Sequence, residues 1–195
     1  MRRTVLTSVI AVILITVLFG LVYPLVMTGV SQVAFSGKAN GSKVSVNGKV
    51  VGSSLIGQEF KSKRYFHSRP SATGYSGNVT FFSNLGPNSI EAREAVRGYL
   101  SAYVALEKPY DHSLTREDVP VDAVTESASG VDPEISQANA WIQAHRIAAV
   151  RNLPLSKVDE LISEHTHGRF LGVLGEPGVN VLQLNIALDK EAPIR

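Results

Sequence analysis

The sequence predicts a single N-terminal transmembrane helix followed by one mixed α/β soluble domain. No charged residue lies between Thr4 and Gly37, and the run from Val5 to Met27 is almost entirely apolar. A bilayer core requires about 20 apolar residues in a helix. The remaining chain, about 160 residues long, carries alternating strand and helix patterns and has the size of one domain. We therefore expect a membrane anchor and tether over residues 1–37 and a soluble domain over residues 38–195.

A cleaved signal peptide is the alternative interpretation of the N-terminus. Such peptides combine a basic start, an apolar run of about 7–15 residues and an A-x-A-like cleavage site. Arg2 and Arg3 supply the basic start, but the apolar run is too long, and Gln32 occupies a position where a small residue is required. A retained anchor is therefore favoured. The two arginines indicate a cytoplasmic N-terminus, with the domain on the outer side of the plasma membrane.

Charge is unevenly distributed along the predicted domain. Residues 38–97 contain nine basic and three acidic side chains, a net charge of +6, whereas residues 98–195 contain eight and fourteen, a net charge of −6. The two halves either pack together and neutralise each other or form a bipolar surface that orients a partner. No long basic run with interleaved aromatic residues is present, so nucleic acid is not expected as a partner. The absence of cysteine excludes disulfides and thiolate metal sites.

Local patterns predict the elements of the domain in chain order. Residues 44–51 alternate around Asn-Gly, which predicts a β-hairpin with a type I′ turn. The polar residues 71–89 predict a long loop. Asn88 or Ser89 is expected to cap a helix that extends towards Leu106, and residues 119–125 are expected to form a buried strand.

Three further elements are predicted in the C-terminal half. Asp132-Pro133 has the pattern of a helix N-cap followed by proline, and Leu153-Pro154 should end that helix. The spacing from Ser156 to Asp159 predicts the capped start of another helix. Glycines at 172, 175 and 178 indicate turns. Residues 182–188 alternate between apolar and other side chains, which predicts a final strand with one polar face.

No catalytic motif is present. The sequence contains neither of the Gly-rich phosphate-binding loops, G-x-x-x-x-G-K-[ST] and G-x-G-x-x-G, nor a G-x-S-x-G elbow. His165 and His167 beside Glu164 have poor ligand geometry, so no metal site is expected. Asp122 and Asp132 are candidate paired carboxylates, although helix capping would also explain Asp132.

Two polar and aromatic stretches suggest a binding surface. One stretch is residues 65–72, where His67 is a candidate base without an identifiable acid partner. The other is residues 130–133 together with the following helix, which carries Trp141, Gln143 and Arg146. By themselves these stretches indicate a membrane-anchored binding domain.

Taken in order, several stretches resemble the C subunit of the Kdp-type potassium-transporting ATPase, the KdpC family. They extend over the whole chain, which makes the resemblance more specific than any single motif; Gln137, where the family often has proline, is a minor departure. The stretches are V-Y-P-L at 22–25, G-S-S-L-I-G-Q at 52–58, F-H-S-R-P-S at 66–71, S-N-L-G-P at 83–87, V-P-V-D-A-V-T at 119–125, S-A-S-G-V-D-P at 127–133 and L-G-E-P-G-V-N-V-L-Q-L-N-I-A-L-D at 174–189.

The resemblance implies a non-catalytic accessory subunit in a complex with a potassium-conducting A subunit, a P-type ATPase B subunit and a small F subunit. In the family this subunit supports assembly and raises the affinity of the ATPase subunit for ATP. The resemblance therefore implies ATP as the one ligand of this chain, contacted by a glutamine that looks like Gln143. That contact conflicts with a domain outside the cytoplasm. The alternative is a free-standing membrane-anchored extracytoplasmic binding protein or enzyme that uses residues 67–69.

Overall fold

The computed structural model describes residues 1–79 and 82–193. The chain divides into two compact units, Met1–Lys43 and Val44–Arg195. This division falls a few residues after Gly37, where the sequence suggests the end of the tether.

The N-terminal unit is almost entirely helical. Helix α1 spans Arg2–Val17, one π-helical turn spans Leu18–Val22, helix α2 spans Tyr23–Ala34 and a short helix α3 spans Ser36–Ala39. The stretch Arg2–Ala34, 33 residues long, is long and apolar enough to cross a membrane by length and composition. Pro24 has no backbone N–H to donate, and the wide turn directly before it is a local adjustment of the kind that accommodates proline in such helices.

The second unit is a mixed domain of helices and two small sheets. Strands β1 (Lys43–Val46) and β2 (Lys49–Ser53) form a hairpin, and β3 (Glu134–Ile135), β4 (Thr166–His167) and β5 (Gly178–Asn180) form an antiparallel sheet in the order β3-β5-β4. Ile135 and Thr166 both pair with Val179. The helices are α4 (Ile90–Glu107), α5 (Val121–Val124), α6 (Gln137–Arg151), α7 (Leu155–Glu164) and α8 (Val181–Glu191).

The apolar core lies among α6, α7, α8 and the central strand β5. Phe66 joins this core from the loop after β2 and is fully buried. The Phe66 N–H donates a hydrogen bond to Asn185 Oδ1 at 2.8 Å, and Asn185 Nδ2 donates to the Phe66 carbonyl at 3.0 Å, which attaches that loop to α8. The principal core residues are Phe66, Ile135, Ala140, Ala144, Ile147, Val158, Leu161, Ile162, Val179, Val181, Leu184 and Leu188.

Several local predictions are confirmed. Asn47 and Gly48 have φ values of 50° and 77°, as a type I′ hairpin turn requires. Ser89 caps α4 by accepting a hydrogen bond from the Ala92 N–H. Helix α6 ends at Arg151, and Asn152 caps it in a left-handed conformation directly before Leu153-Pro154. The described parts of the loop 71–89, residues 71–79 and 82–89, contain neither helix nor strand.

The predicted final strand over residues 182–188 is wrong, because this segment forms helix α8. Asn180 caps it by accepting a hydrogen bond from the Gln183 N–H at 3.1 Å. The same residues carry a helical repeat in which Val181, Leu184 and Leu188 face the core. Both periods are present in the sequence, and the cap together with packing against the core favours the helix.

The predictions for residues 119–125 and for the starts of two helices also need correction. Residues 119–125 contain the one-turn helix α5 rather than a strand, because Pro120 precedes it in an N-cap position. Helix α6 starts at Gln137 rather than after Asp132, since residues 134–135 pair with β5 and Ser136 provides the cap. Helix α7 starts directly after Pro154, so Ser156 lies inside it and is not its cap.

Candidate functional site

An open groove of about 360 Å³ lies in the domain between α4, α6 and the loop after β2. Helix α4 contributes Tyr99, Tyr103 and Glu107, which are spaced four residues apart and therefore share one helix face. Helix α6 contributes Asn139 and Gln143 by the same spacing. The full lining is Glu59, Phe60, Lys61, His67, Ser68, Pro70, Tyr75, Tyr99, Ala102, Tyr103, Leu106, Glu107, Ala123, Asn139 and Gln143.

Gln143 lies at the inner wall of this groove and is 1% exposed. Its Oε1 accepts hydrogen bonds from the His67 N–H at 2.7 Å and from Arg146 Nη2 at 2.9 Å. Its Nε2 donates to the His67 carbonyl at 3.1 Å and to Asn139 Oδ1 at 2.9 Å. An amide offers two donors and two acceptor sites. The side chain therefore uses its full hydrogen-bonding capacity inside the domain. It bonds both the N–H and the carbonyl of His67, as the backbone of a neighbouring β-strand would.

Arg146, one helical turn further along α6, is a fully buried cation. Its Nε donates to both carboxylate oxygens of Glu107, at 2.9 and 3.0 Å. Its Nη1 donates to the carbonyls of Lys63 and Tyr65. Burial raises the pKa of Glu107, and the positive charge of Arg146 opposes that rise. The ion pair joins α4, α6 and the loop after β2 at one point, which we call the polar centre (Glu107, Gln143 and Arg146).

His67 is half-buried, and its ring nitrogen Nε2 lies 3.0 Å from the Ser62 carbonyl. Burial and the nearby charge of Arg146 lower the pKa of His67. Among the hydrogen bonds of the described residues, none joins the His67 side chain to a carboxylate. These hydrogen bonds therefore do not provide an acid partner for His67, and Gln143 holds the residue through its backbone N–H and carbonyl.

Asp122 and Asp132 do not act as a pair. The carboxylate of Asp122 accepts hydrogen bonds from the Ser136 N–H and hydroxyl and from Asn139 Nδ2, which positions the start of α6. Asp132 instead forms an ion pair with Arg69 at 3.0 Å and accepts from the Glu134 N–H. Its predicted helix-capping role is therefore wrong, and both carboxylates hold loops in place.

Two tyrosines of the groove are also tied to neighbouring groups. Burial raises the pKa of Tyr103, whose hydroxyl donates to Asn139 Oδ1 at 2.8 Å. Burial raises the pKa of Tyr75 to about 12, and its hydroxyl donates to the Arg69 carbonyl. These groups are neutral at physiological pH. Within residues 1–79 and 82–193 no group of three or more His, Asp or Glu side chains is arranged to hold a metal ion.

The predicted binding surface on α6 is split by the structure. Trp141 is 46% exposed, whereas Gln143 and Arg146 lie in the interior. The partner of Arg146 is Glu107, which lies 39 residues earlier on another helix and was not predicted from the sequence. A polar residue on the core-facing side of each helix was the available signal, since Glu107 and Arg146 each share a helix face with apolar or small side chains.

The stretches that carry the family resemblance contact one another in the domain. Ser127 N–H donates to the Pro70 carbonyl at 2.9 Å, and the Ser71 hydroxyl donates to the Gly130 carbonyl. Together with the Arg69–Asp132 pair, these bonds join residues 66–71 to residues 127–133. The same stretch 66–71 reaches residues 174–189 through Phe66 and Asn185.

Comparison with known proteins identifies the family. Residues 5–190 match the family described as KdpC, the c chain of the K+-transporting ATPase. The chain belongs to this family. Among its relatives, the potassium-transporting ATPase KdpC subunit of Koribacter versatilis is 43% identical, with 100% of this chain and 98% of the relative covered. The KdpC subunits of Mycobacterium tuberculosis and Herpetosiphon aurantiacus are 45% and 46% identical, with 97% of this chain and 100% and 97% of the relatives covered.

Membership in the KdpC family confirms the resemblance stated from the sequence motifs. It also makes the chain an accessory subunit of a potassium-transporting ATPase. The contact of ATP with Gln143 remains a prediction, and so do the orientation of the N-terminal helix and the individual partner subunits.

Proposed function

We propose that this chain is a membrane-anchored, non-catalytic subunit that assembles and stabilises an ATP-driven potassium uptake complex. Its partners would be the potassium-conducting A subunit, the P-type ATPase B subunit and the small F subunit. The match to the KdpC family over residues 5–190 is the observation that carries this proposal. The polar side chains of the groove support it, because their hydrogen bonds hold loops and helices together.

Assembly can be tested by deleting the chain from cells that express the other subunits. The expected result is a complex that falls apart in mild detergent, together with loss of potassium uptake at low external potassium. The purified chain alone should show no ATP hydrolysis. Robust turnover by the purified chain, or an intact and active complex without it, would contradict the proposal.

The N-terminal helix is proposed to cross the plasma membrane with its N-terminus in the cytoplasm. The apolar stretch Arg2–Ala34 supports this arrangement, as do the positive charges of Arg2 and Arg3 at its start. Since the chain has no cysteine, a single cysteine reports on topology. Asn78→Cys, in an exposed part of the polar loop, should react with an impermeant thiol reagent on intact cells, whereas Thr4→Cys should not. The reverse pattern would place the domain in the cytoplasm.

An effect on ATP affinity through Gln143 is a separate part of the proposal. A nucleotide that used this amide would have to replace one of its four internal hydrogen bonds. Gln143→Ala should therefore be compared with Gln137→Ala on the same helix. A higher KM for ATP in fully assembled complex would support direct contact. A normal KM combined with loss of the subunit from the complex would show that Gln143 only stabilises the domain.

An anchored binding protein outside the cytoplasm is the second candidate. The groove favours it, because its volume of about 360 Å³ falls in the range of small-molecule sites, about 300–1,000 Å³. Isolation in mild detergent separates the two candidates. Recovery of the chain without any large membrane partner would support the binding protein and contradict the accessory subunit.

A further inference from the structure

An apolar turn projects from the domain between β4 and β5. Phe170, Leu171, Val173 and Leu174 are 70%, 78%, 72% and 58% exposed. Four large apolar side chains within five consecutive residues form a patch of the kind that marks an interaction site on a soluble domain. We call residues 168–176 the apolar knob.

The backbone of the knob has an unusual conformation for its sequence. Leu171 and Gly172 have φ values of 53° and 77°, and the turn at Asn47 and Gly48 has almost the same values, 50° and 77°. Asn and Gly are the residues that such turns favour, whereas a leucine in the left-handed region is strained. The turn itself therefore does not account for Leu171.

Internal contacts do not account for Leu171 either. Tyr75 is another bulky residue with positive φ, at 59°, but its half-buried side chain donates a hydrogen bond to the Arg69 carbonyl. The Leu171 side chain is exposed and lies outside the core cluster. Asparagine at this position would be both more soluble and less strained. A strained apolar residue at an exposed tip indicates a function outside the folded domain.

The knob is held in shape by its own hydrogen bonds. The Phe170 N–H donates to the Leu174 carbonyl at 2.8 Å, and the Leu174 N–H donates back to the Phe170 carbonyl at 3.0 Å. At its base, Arg169 Nη2 donates to both carboxylate oxygens of Glu176, at 2.9 and 2.8 Å. A preformed shape of this kind loses little conformational entropy on binding.

Charge distinguishes between a lipid surface and a protein as the occupant. Loops and helices that lie on membranes combine apolar side chains with Lys or Arg that attract anionic headgroups. Arg169 is the one Lys or Arg among residues 168–176, and Glu176 neutralises it. A rigid, neutral, apolar projection fits an uncharged socket of matching shape better than fluid anionic lipid.

We propose that the apolar knob inserts into an uncharged, apolar socket on a large membrane subunit of the potassium-transporting ATPase and retains this chain in the complex. The proposal rests on the proposed accessory function, because the socket belongs to a partner within that complex. It assigns the knob a docking role that is independent of the groove and of Gln143.

The test compares three variants of the full chain, each co-expressed with the remaining subunits and isolated through a tag on the ATPase subunit. Leu171→Asn should lower the amount of chain retained per complex at least tenfold, while Leu171→Met should retain it. Asn47→Leu places the same side chain in the same turn geometry elsewhere and should be retained like the wild type. The Tm of each purified full chain in detergent is the folding control, and Leu171→Asn should match or exceed the wild type.

The outcomes separate the knob from the wider proposal. Full retention of Leu171→Asn, with the wild-type chain also retained, would overturn the docking role and leave the accessory function intact. Failure of the wild-type chain to co-purify would instead contradict the accessory function. Loss of a self-associated form of the chain in Leu171→Asn, without change in the complex, would identify a second copy as the occupant and would also overturn the proposal.

Discussion

The polar centre and the apolar knob invert the usual distribution of side chains. Arg146 and Glu107 are 0% and 1% exposed, whereas Leu171 and Val173 are 78% and 72% exposed. In the polar centre, every charged group is satisfied by partners within the domain. In the knob, the apolar side chains have no comparable internal role. Internal partners, rather than residue type, therefore separate the side chains that stabilise this domain from those that remain available at its surface.

The two regions should therefore respond in opposite ways to substitution. Removing one partner from the polar centre leaves other buried groups without hydrogen bonds, which destabilises the domain itself. Replacing an apolar side chain of the knob leaves no cavity and no unpaired group. Its effect should appear in the assembled complex rather than in the isolated chain.

The largest effect is expected for Arg146→Ala, which leaves Glu107 as a buried charge without its partner. Breaking a buried ion pair in this way costs about 3–5 kcal/mol. Denaturant unfolding of the full chain in detergent measures the loss. Arg116→Ala, at an exposed position, is the matched control and should change stability by no more than about 0.5 kcal/mol. A similarly small change for Arg146→Ala would show that the buried ion pair does not stabilise the domain.

A smaller loss is expected for Gln143→Leu, which conserves much of the side-chain volume but removes all four hydrogen bonds. The backbone of His67 and the amide of Asn139 would lose partners, at a cost of about 1–3 kcal/mol. Combining this substitution with Arg146→Ala should give a non-additive loss, because the two side chains are bonded to each other. Strict additivity would show that the polar centre is not one unit.

Substitutions in the two turns should change the free energy of unfolding by about 1 kcal/mol, with opposite signs. A side chain in the left-handed region costs roughly 1–2 kcal/mol, and asparagine tolerates that region better than leucine. Asn47→Leu should therefore destabilise the full chain, and Leu171→Asn should stabilise it. Both are measured by denaturant unfolding in detergent. Destabilisation by Leu171→Asn would mean that the exposed leucine contributes to the fold after all.

The smallest effect concerns pH and comes from His67, whose pKa burial lowers. The neutral ring is favoured in the folded state, so the stabilising contribution is complete above the unfolded pKa of about 6.5 and is lost as pH falls through the lower folded pKa. Stability of the wild type should therefore decrease as the pH falls from about 6.5 through the lower folded pKa of His67. His67→Gln should weaken this dependence, and an unchanged slope would assign it to other groups.

Elements with a complete local signal were predictable from sequence. The Asn47-Gly48 hairpin and the Ser89 cap depend on side chains within three residues of the structure that they determine. Helix α8 was mispredicted because its apolar residues fit both a strand and a helix period. The deciding factors were the Asn180 cap and the packing of Leu184 against the core.

The polar centre and the knob were beyond prediction for a different reason. Glu107 and Arg146 lie on separate helices, and only the fold brings them together. Gln143 was named from a polar stretch and given an ATP contact by family resemblance, but two of its four hydrogen bonds go to a loop that is 76 residues away in sequence. The apolar residues at 170–174 can be read from the sequence, but the exposure of their side chains follows only from the position of the turn in the fold.

The most direct test of the docking role is a photo-crosslink from position 171 within assembled complex in native membranes. A photoreactive apolar amino acid replaces Leu171, and the same amino acid at Asn47 serves as the control position. Position 171 should crosslink in high yield to a large membrane subunit, identified by mass, whereas position 47 should not. Crosslinks from position 171 to lipid alone, or to a second copy of this chain, would contradict it.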